Sequence, residues 1–105
     1  MKTLVRATLA LVALALICAP FTFADGAADF KARCSACHGA NGGGDTTMGK
    51  NLKLRDLGSA DVQKQSDADL TTIITKGKGK MPSYDGKLTA DQISDIVKYI
   101  RTLKK

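Results

Sequence analysis

The stretch Cys34-Ser35-Ala36-Cys37-His38 determines how the rest of the chain is interpreted. A Cys-x-x-Cys-His run is the attachment signature of a c-type haem. Because the two thiols are three positions apart, a single turn of chain can present both to one edge of a porphyrin. We therefore expect one haem c per chain, with Cys34 and Cys37 joined to it as thioethers and His38 as the first axial ligand of its iron.

The same two cysteines have other possible uses. They could form a redox-active disulfide, a structural bridge or half of a zinc site. A thioredoxin-like motif is expected beside a βαβ pattern, and this sequence has none. A zinc site needs about four ligands, but His38 is the only histidine and the only other cysteine is Cys18, near the N-terminus. Covalent haem is the better-supported interpretation.

Residues 1–24 predict an export signal that is cleaved from the protein. Lys2 and Arg6 give it a positive start, and the apolar stretch that follows spans residues 7–19. Small residues then stand at the −3 and −1 positions of a cleavage site after Ala24. The 13 apolar residues are fewer than the roughly 20 that a membrane-spanning helix needs. We expect a periplasmic protein without stable membrane insertion, with an uncleaved N-terminal anchor as the alternative.

Residues 25–105 are then one small domain. Haem attachment in bacteria takes place outside the cytoplasmic membrane, in agreement with export. Once the signal is removed, Cys34 and Cys37 are the only cysteines, so no disulfide framework is available in an oxidising compartment. A domain of this size buries a modest fraction of its surface and this one has no Trp. A large flat apolar cofactor would supply the missing core.

The local patterns predict an all-α fold, because no segment alternates apolar and polar residues for long enough to form a strand. The first helix is expected from Asp25 to about Ala36, followed by a glycine-rich loop over residues 39–44. Ser59 is expected to cap a short helix over residues 60–64.

Two more helices are expected towards the C-terminus. Ser66, with Asp69 as its capping-box partner, should begin one of them. Thr89 and Gln92 form a second capping box at the start of the terminal helix, where apolar residues recur at helical spacing. That apolar face consists of Ile93, Ile96, Val97, Ile100 and Leu103.

A methionine is the expected sixth ligand of the iron, because the only histidine is already used. Met48 lies ten residues after His38 and Met81 lies 43 residues after it. The longer segment can wrap around the haem and reach its opposite face with a helix to spare, and Pro82 helps to fix the ligand loop. We therefore expect Met81 to bind the iron and Met48 not to. The alternative for either methionine is packing in the core.

The chain resembles the small bacterial monohaem class I cytochromes c over essentially all of residues 25–105. The family places a glycine and an aromatic residue eight and four positions before the first cysteine, and it ends its ligand loop with methionine and proline. An aromatic residue often follows that proline, and the terminal helix usually carries another. The matching residues here are Gly26, Phe30, Cys34, Cys37, His38, Met81, Pro82, Tyr84 and Tyr99.

The resemblance implies the class I cytochrome c fold, in which three to five short helices wrap around one covalently bound haem. Gly26 would allow the first and last helices to cross closely, with Phe30 and Tyr99 packed near the crossing. Many relatives have a proline in the loop after the haem motif, near the carbonyl that accepts the ring N–H of the histidine ligand. Residues 46–54 contain none, so the sequence does not identify that acceptor for His38.

A soluble one-electron carrier with His/Met ligation is the function that these features favour. His/Met ligation raises the reduction potential, and the iron can change oxidation state without a change of ligands. With no Glu and no free histidine in the chain, no acid–base pair is available, so an enzyme is not expected. One alternative is a haem subunit of a larger oxidoreductase. The other is a gas-binding or peroxidase-type protein with an open or labile sixth site.

The charge pattern bears on the partners. Residues 25–105 contain 14 Lys and Arg against 10 Asp. Lys76, Lys78 and Lys80 stand just before Met81, so they should surround one rim of the haem and attract a redox partner with an acidic docking surface. The alternative is that they are ordinary solvated lysines. Scattered basic residues and few aromatics argue against nucleic-acid binding, and we expect a monomer.

Overall fold

The polypeptide from Asp25 onward forms helices joined by loops. The computed structural model describes residues 25–105, and the expected export signal lies outside them. Within this range no strand forms, and two isolated bridges join Lys78 to Met81 and Asp85 to Leu88. The helices are α1 (Gly26–Arg33), α2 (Ser35–His38), α3 (Thr47–Asn51), α4 (Ala60–Gln63), α5 (Asp67–Lys76) and α6 (Ala90–Thr102).

The all-α prediction is confirmed, and the described part of the chain has six helices rather than three to five. The larger number arises because α2, α3 and α4 are only four or five residues long. None of the helices in residues 25–105 combines the length and the apolar character needed to cross a bilayer.

The first predicted helix is interrupted at the haem motif. α1 ends at Arg33, and Cys34 has a φ of −113° before α2 begins at Ser35. Asp25 caps α1, because its carboxylate accepts hydrogen bonds from Ala27 N at 3.0 Å and Ala28 N at 3.3 Å. The motif therefore has its own short turn instead of continuing α1 to residue 36.

Hydroxyl caps begin the later helices, with one exception. Thr89 and Gln92 form the complete capping box, with bonds of 2.8 and 3.1 Å. Ser66 Oγ accepts from Asp69 N at 3.0 Å, so only this half of the predicted box forms, since Asp is shorter than the Glu or Gln that normally reaches back. Ser59 occupies the N-cap of α4, but its buried hydroxyl has no partner among the described residues.

The crossing of α1 and α6 is the closest helix packing in this part of the chain. A Cβ atom on Gly26 would lie 2.1 Å from the Asp95 carbonyl oxygen, so only glycine fits there. Phe30 is 1% exposed, and its ring centroid lies 5.1 Å from that of Tyr99. The expected roles of Gly26, Phe30 and Tyr99 at this crossing are confirmed.

The predicted apolar face of α6 forms the centre of the core. Its residues at positions 93, 96, 97 and 100 are all buried, and Leu103 packs against them from the edge. Burial of a full aliphatic side chain stabilises a fold by about 2 kcal/mol. Opposite this face, buried side chains come from the middle helices and from the segment before α6. They are Val62, Leu70, Ile74 and Leu88.

Candidate haem site

An apolar cavity opens between α1 and α2 on one side and α5 and the Met81 loop on the other. Its volume is about 200 Å³. The terminal helix closes the back of the cavity with Ile96 and Ile100. A flat apolar group bound in this cavity would pack against side chains of the hydrophobic core. The apolar wall also includes Phe30, Leu57, Val62, Leu70 and Ile74.

The residues singled out from the sequence meet at this cavity. Cys34, His38 and Met81 line it, and the same three residues line the adjoining opening together with Cys37. Met48 lines neither, and it is 50% exposed on α3. The structure thus brings the four predicted site residues together and leaves Met48 at the surface.

The two cysteines of the motif do not form a disulfide with each other. Burial, followed by the nearby Asp29 carboxylate, raises the pKa of Cys34 to about 11. A redox-active Cys-x-x-Cys pair needs the opposite, a thiol pKa lowered towards neutrality. The surroundings of Cys34 therefore disfavour the thioredoxin-like alternative.

The imidazole of His38 is kept neutral by its position. Burial lowers the pKa of His38 below its ordinary value of 6.5, so at pH 7 a ring nitrogen keeps the lone pair that an iron requires. Its Nδ1 atom is buried with no hydrogen-bond partner among residues 25–105. The acceptor that the sequence could not identify for this atom is also not found in the structure.

The Met81 loop is turned back on α5 by local backbone contacts. Lys78 N donates to Met81 O at 3.2 Å, and Met81 N donates to Lys78 O at 3.0 Å. Gly77 has a φ of +77°, and a Cβ atom there would lie 2.6 Å from Met81 O. Ser83 Oγ also donates to Thr75 O at 2.6 Å. This compact turn directs the Met81 side chain towards the cavity.

Cationic side chains surround the opening beside Met81. Arg33, Lys78 and Lys80 line it, and no acidic residue of the described part does so. Lys76, which was expected at the same rim, lines neither the opening nor the cavity. Tyr84 spans the opening, and its hydroxyl donates to Arg33 O at 2.9 Å. The rim therefore presents positive charge next to the ligand loop.

One supporting group of residues, centred on Arg101, was missed by the sequence reasoning. Arg101 donates to Gln63 O at 2.9 Å and to Gln65 O at 2.5 Å. Its guanidinium also pairs with Asp67 at 2.8 Å. It thereby fixes the turn between α4 and α5, where Gln65 lines the cavity. These contacts join positions more than 30 residues apart, so no local pattern indicates them.

Comparisons with known proteins agree with this site. The family described as "Cytochrome C oxidase, cbb3-type, subunit III" matches residues 21–100. Cytochrome c6 of Microcystis aeruginosa is 37% identical over 76 residues, which cover 72% of this chain and 90% of that protein. The chain belongs to the class I cytochrome c family. Cytochrome c6 of Leptolyngbya boryana is 39% identical over 68% of this chain and 80% of its own length.

A solved structure shows the same architecture. The KustC0563 c-type cytochrome superposes with a TM-score of 0.72 and is 31% identical, covering 77% of this chain and 99% of its own. Membership of the class I cytochrome c family identifies the cofactor as covalently bound haem c with its iron. The neutral imidazole, the two cysteines without a disulfide and the apolar cavity fit that group. The protein is accordingly an electron-transfer protein that acts with redox partners, and it is not an enzyme.

Proposed function

We propose that this cytochrome carries its haem on Cys34 and Cys37, with His38 and Met81 as the two axial ligands, and that it shuttles single electrons. The observation that carries this assignment is that Cys34, His38 and Met81 all line one apolar cavity. When bound, the haem supplies an iron that exchanges one electron between its ferric and ferrous states.

The chain contributes ligands and a dry setting to this exchange. A neutral His38 and the soft thioether of Met81 suit both oxidation states, so neither ligand has to leave. The apolar wall excludes water from the ring, and His/Met ligation raises the reduction potential.

Two methionine variants test the ligand assignment. In Met81→Ala the holoprotein should lose the weak long-wavelength band typical of ferric iron bound by methionine, and its reduced form should bind carbon monoxide rapidly. Met48→Ala is the matched control and should keep the spectrum of the unmodified protein. A Met81→Ala spectrum identical to that of the parent, or haem that acid-acetone extracts from the protein, would contradict the assignment.

We also propose that the chain is exported, cleaved after Ala24 and monomeric in the periplasm. The charged start and apolar stretch of residues 1–24 support this proposal. The intact mass of the exported protein should equal residues 25–105 plus one haem, and gel filtration should give the mass of a single chain. A mass that retains residues 1–24 would contradict cleavage.

The positive rim supports an acidic surface on the redox partner. Opposite charges steer diffusional encounter and raise association rates. Lys78→Glu combined with Lys80→Glu changes two lysines that line the opening and should lower the electron-transfer rate about tenfold at low ionic strength, and the rate of the unmodified protein should fall as salt is added. The matched control is Lys64→Glu with Lys98→Glu, two lysines whose side chains are about three-quarters exposed and which line neither the cavity nor its opening. Equal rates in both pairs, or rates independent of salt, would exclude steering.

The two alternative functions are less well supported. A gas-binding or peroxidase-type protein needs an open iron, whereas Met81 lines the cavity. The name of the matching family raises the possibility of an oxidase subunit. The cytochrome c6 of Microcystis aeruginosa, however, is matched over 90% of its own length, so the similarity covers nearly that whole protein. Co-purification with a large membrane complex would support the subunit.

A further inference from the structure

The peptide that carries His38 is held from outside the cavity by residues 44–49. Gly44 N donates to His38 O at 2.7 Å. Thr46 Oγ1 donates to Cys37 O at 2.7 Å, and the same oxygen accepts from Gly49 N at 2.9 Å. The carbonyls of both Cys37 and His38 are therefore bound by one short segment, which continues into α3.

This segment packs against the motif without spare room. A Cβ atom on Gly49 would lie 2.6 Å from Cys37 O and 2.4 Å from Gly44 O, and such distances are impossible for real atoms. The Thr46 hydroxyl is part-buried between these groups, where it is donor and acceptor at once. These two hydrogen bonds fix the orientation of the Thr46 hydroxyl. Removal of the hydroxyl would leave Cys37 O without this hydrogen-bond donor.

A histidine that binds a metal is usually oriented by a hydrogen bond at its other ring nitrogen. In residues 25–105 no group supplies one to His38 Nδ1. The ring of Phe30 lies beside the imidazole, with centroids 6.5 Å apart and planes tilted by 40°. This contact makes no hydrogen bond to the imidazole. The backbone of His38, by contrast, is held by hydrogen bonds from residues 44–49.

We propose that Thr46 is a positioning residue for the histidine ligand. By fixing the peptide between Cys37 and His38, its hydroxyl sets the direction from which His38 Nε2 meets the iron. The proposal rests on the proposed role of His38 as an axial ligand. It assigns to Thr46 the orienting function that a partner of Nδ1 usually performs.

The test measures the iron–histidine bond itself. In a Met81→Ala background the reduced haem has His38 as its only protein ligand, and resonance Raman spectroscopy reports the iron–histidine stretching band. Thr46→Val removes the hydroxyl at nearly constant volume and should move this band to lower frequency and broaden it. Thr46→Ser keeps the hydroxyl and should restore the parent band. With Met81 intact, Thr46→Val should also shift the reduction potential while Thr46→Ser does not.

Thr72→Val is the matched control, because Thr72 Oγ1 donates to the Ala68 carbonyl at 2.9 Å on the exposed side of α5. It should leave both the band and the potential unchanged. If Thr46→Val does not accumulate as holoprotein, Thr46→Ala removes the same hydroxyl without added bulk and gives the same comparison.

The outcomes separate the two proposals. Absence of an iron–histidine band in a Met81→Ala parent whose visible spectrum shows five-coordinate ferrous haem overturns the assignment of His38 as ligand. A band that is present in the parent and is not moved by Thr46→Val, or is moved equally by Thr72→Val, overturns the positioning role of Thr46.

Discussion

The two sides of the cavity are held by different kinds of contact. The His38 side, residues 26–49 with α1 to α3, depends on close approaches between backbones. Gly26 lies against the Asp95 carbonyl, and Gly49 lies against the carbonyls of Cys37 and Gly44. Such contacts leave no space for a side chain, so they fix positions closely and tolerate little change.

The Met81 side, residues 67–88 with α5 and the ligand loop, depends more on long polar side chains. Arg101 binds the turn at the start of α5, and Tyr84 joins the loop to Arg33 O. One close backbone approach, at Gly77, lies inside the loop. Side chains of this length can adjust their conformations. We therefore expect substitutions on the Met81 side to lower the free energy of unfolding moderately, and substitutions at the close backbone contacts of the His38 side to lower it strongly.

The largest effect is expected from Gly49→Ala. Its new methyl group would overlap two carbonyl oxygens, and overpacking of this kind lowers the free energy of unfolding by about 3 kcal/mol. Haem attachment should fall with it, because the displaced backbone carries Cys37. Denaturant unfolding of the holoprotein and its yield measure both effects. Gly43→Ala is the control: its nearest neighbour is the Asn41 side chain at 3.0 Å, and a change within about 0.5 kcal/mol is expected. Equal losses of unfolding free energy in Gly49→Ala and Gly43→Ala would show that the close backbone contact at Gly49 does not hold the His38 side.

Arg101→Met should destabilise the Met81 side by about 2 kcal/mol, because the carbonyls of Gln63 and Gln65 lose a charged donor. The haem should remain attached, since the motif on the opposite side is untouched. Lys64→Met is the control, because Lys64 pairs with Asp61 at 3.4 Å with both side chains mostly exposed. Its expected cost is below about 0.5 kcal/mol. Loss of haem from the Arg101 variant would show that the sides do not fail separately.

Tyr84→Phe should cost about 1 kcal/mol, because it removes the hydrogen bond from the ligand loop to Arg33 O. A looser loop should let added imidazole displace Met81 about fivefold more readily, which spectral titration measures. Tyr99→Phe removes a longer contact, 3.4 Å to Ala40 O, and should change imidazole binding less. A larger change in imidazole binding for Tyr99→Phe would show that the hydrogen bond from Tyr84 to Arg33 O does not hold the Met81 loop.

The smallest effect is expected outside both sides, where Lys105 pairs with Asp56. The hydrogen bond from Lys105 lowers the pKa of Asp56 below 3.8, and the same bond raises the pKa of Lys105 above 10.5. The ion pair between Asp56 and Lys105 therefore stabilises the folded protein fully between pH 3.8 and pH 10.5. It is lost as pH falls through the lowered pKa of Asp56 or rises through the raised pKa of Lys105. Asp56→Asn should lower Tm slightly at neutral pH, with a difference that shrinks at both extremes. A difference independent of pH would point to something other than this pair.

Several features could be predicted because they are local. The capping box of Thr89 and Gln92 and the apolar face of α6 follow from residues three or four positions apart, whose interactions do not depend on the rest of the fold. The haem motif is equally local. The ligand roles of Cys34, Cys37, His38 and Met81 stay predictions, supported by their shared cavity.

Other features could not be predicted because they need partners distant in the chain. The segment of α3 was expected to belong to the loop that follows the haem motif. It forms where the Thr46 hydroxyl binds both Cys37 O and Gly49 N. The break at Cys34 likewise replaces the helix expected to continue to residue 36.

The sequence by itself indicated the chemistry of this protein: two thiols and an imidazole within five residues, and a methionine far enough along the chain to be expected at the opposite face of a haem. The tertiary structure decided which methionine lies at the cavity and which is exposed, and it recruited Thr46 and Arg101 as supports. The physical reason is distance along the chain. Residues within one turn of chain have their relative positions set by the local backbone. Residues distant in the sequence come into contact only when the whole domain has folded.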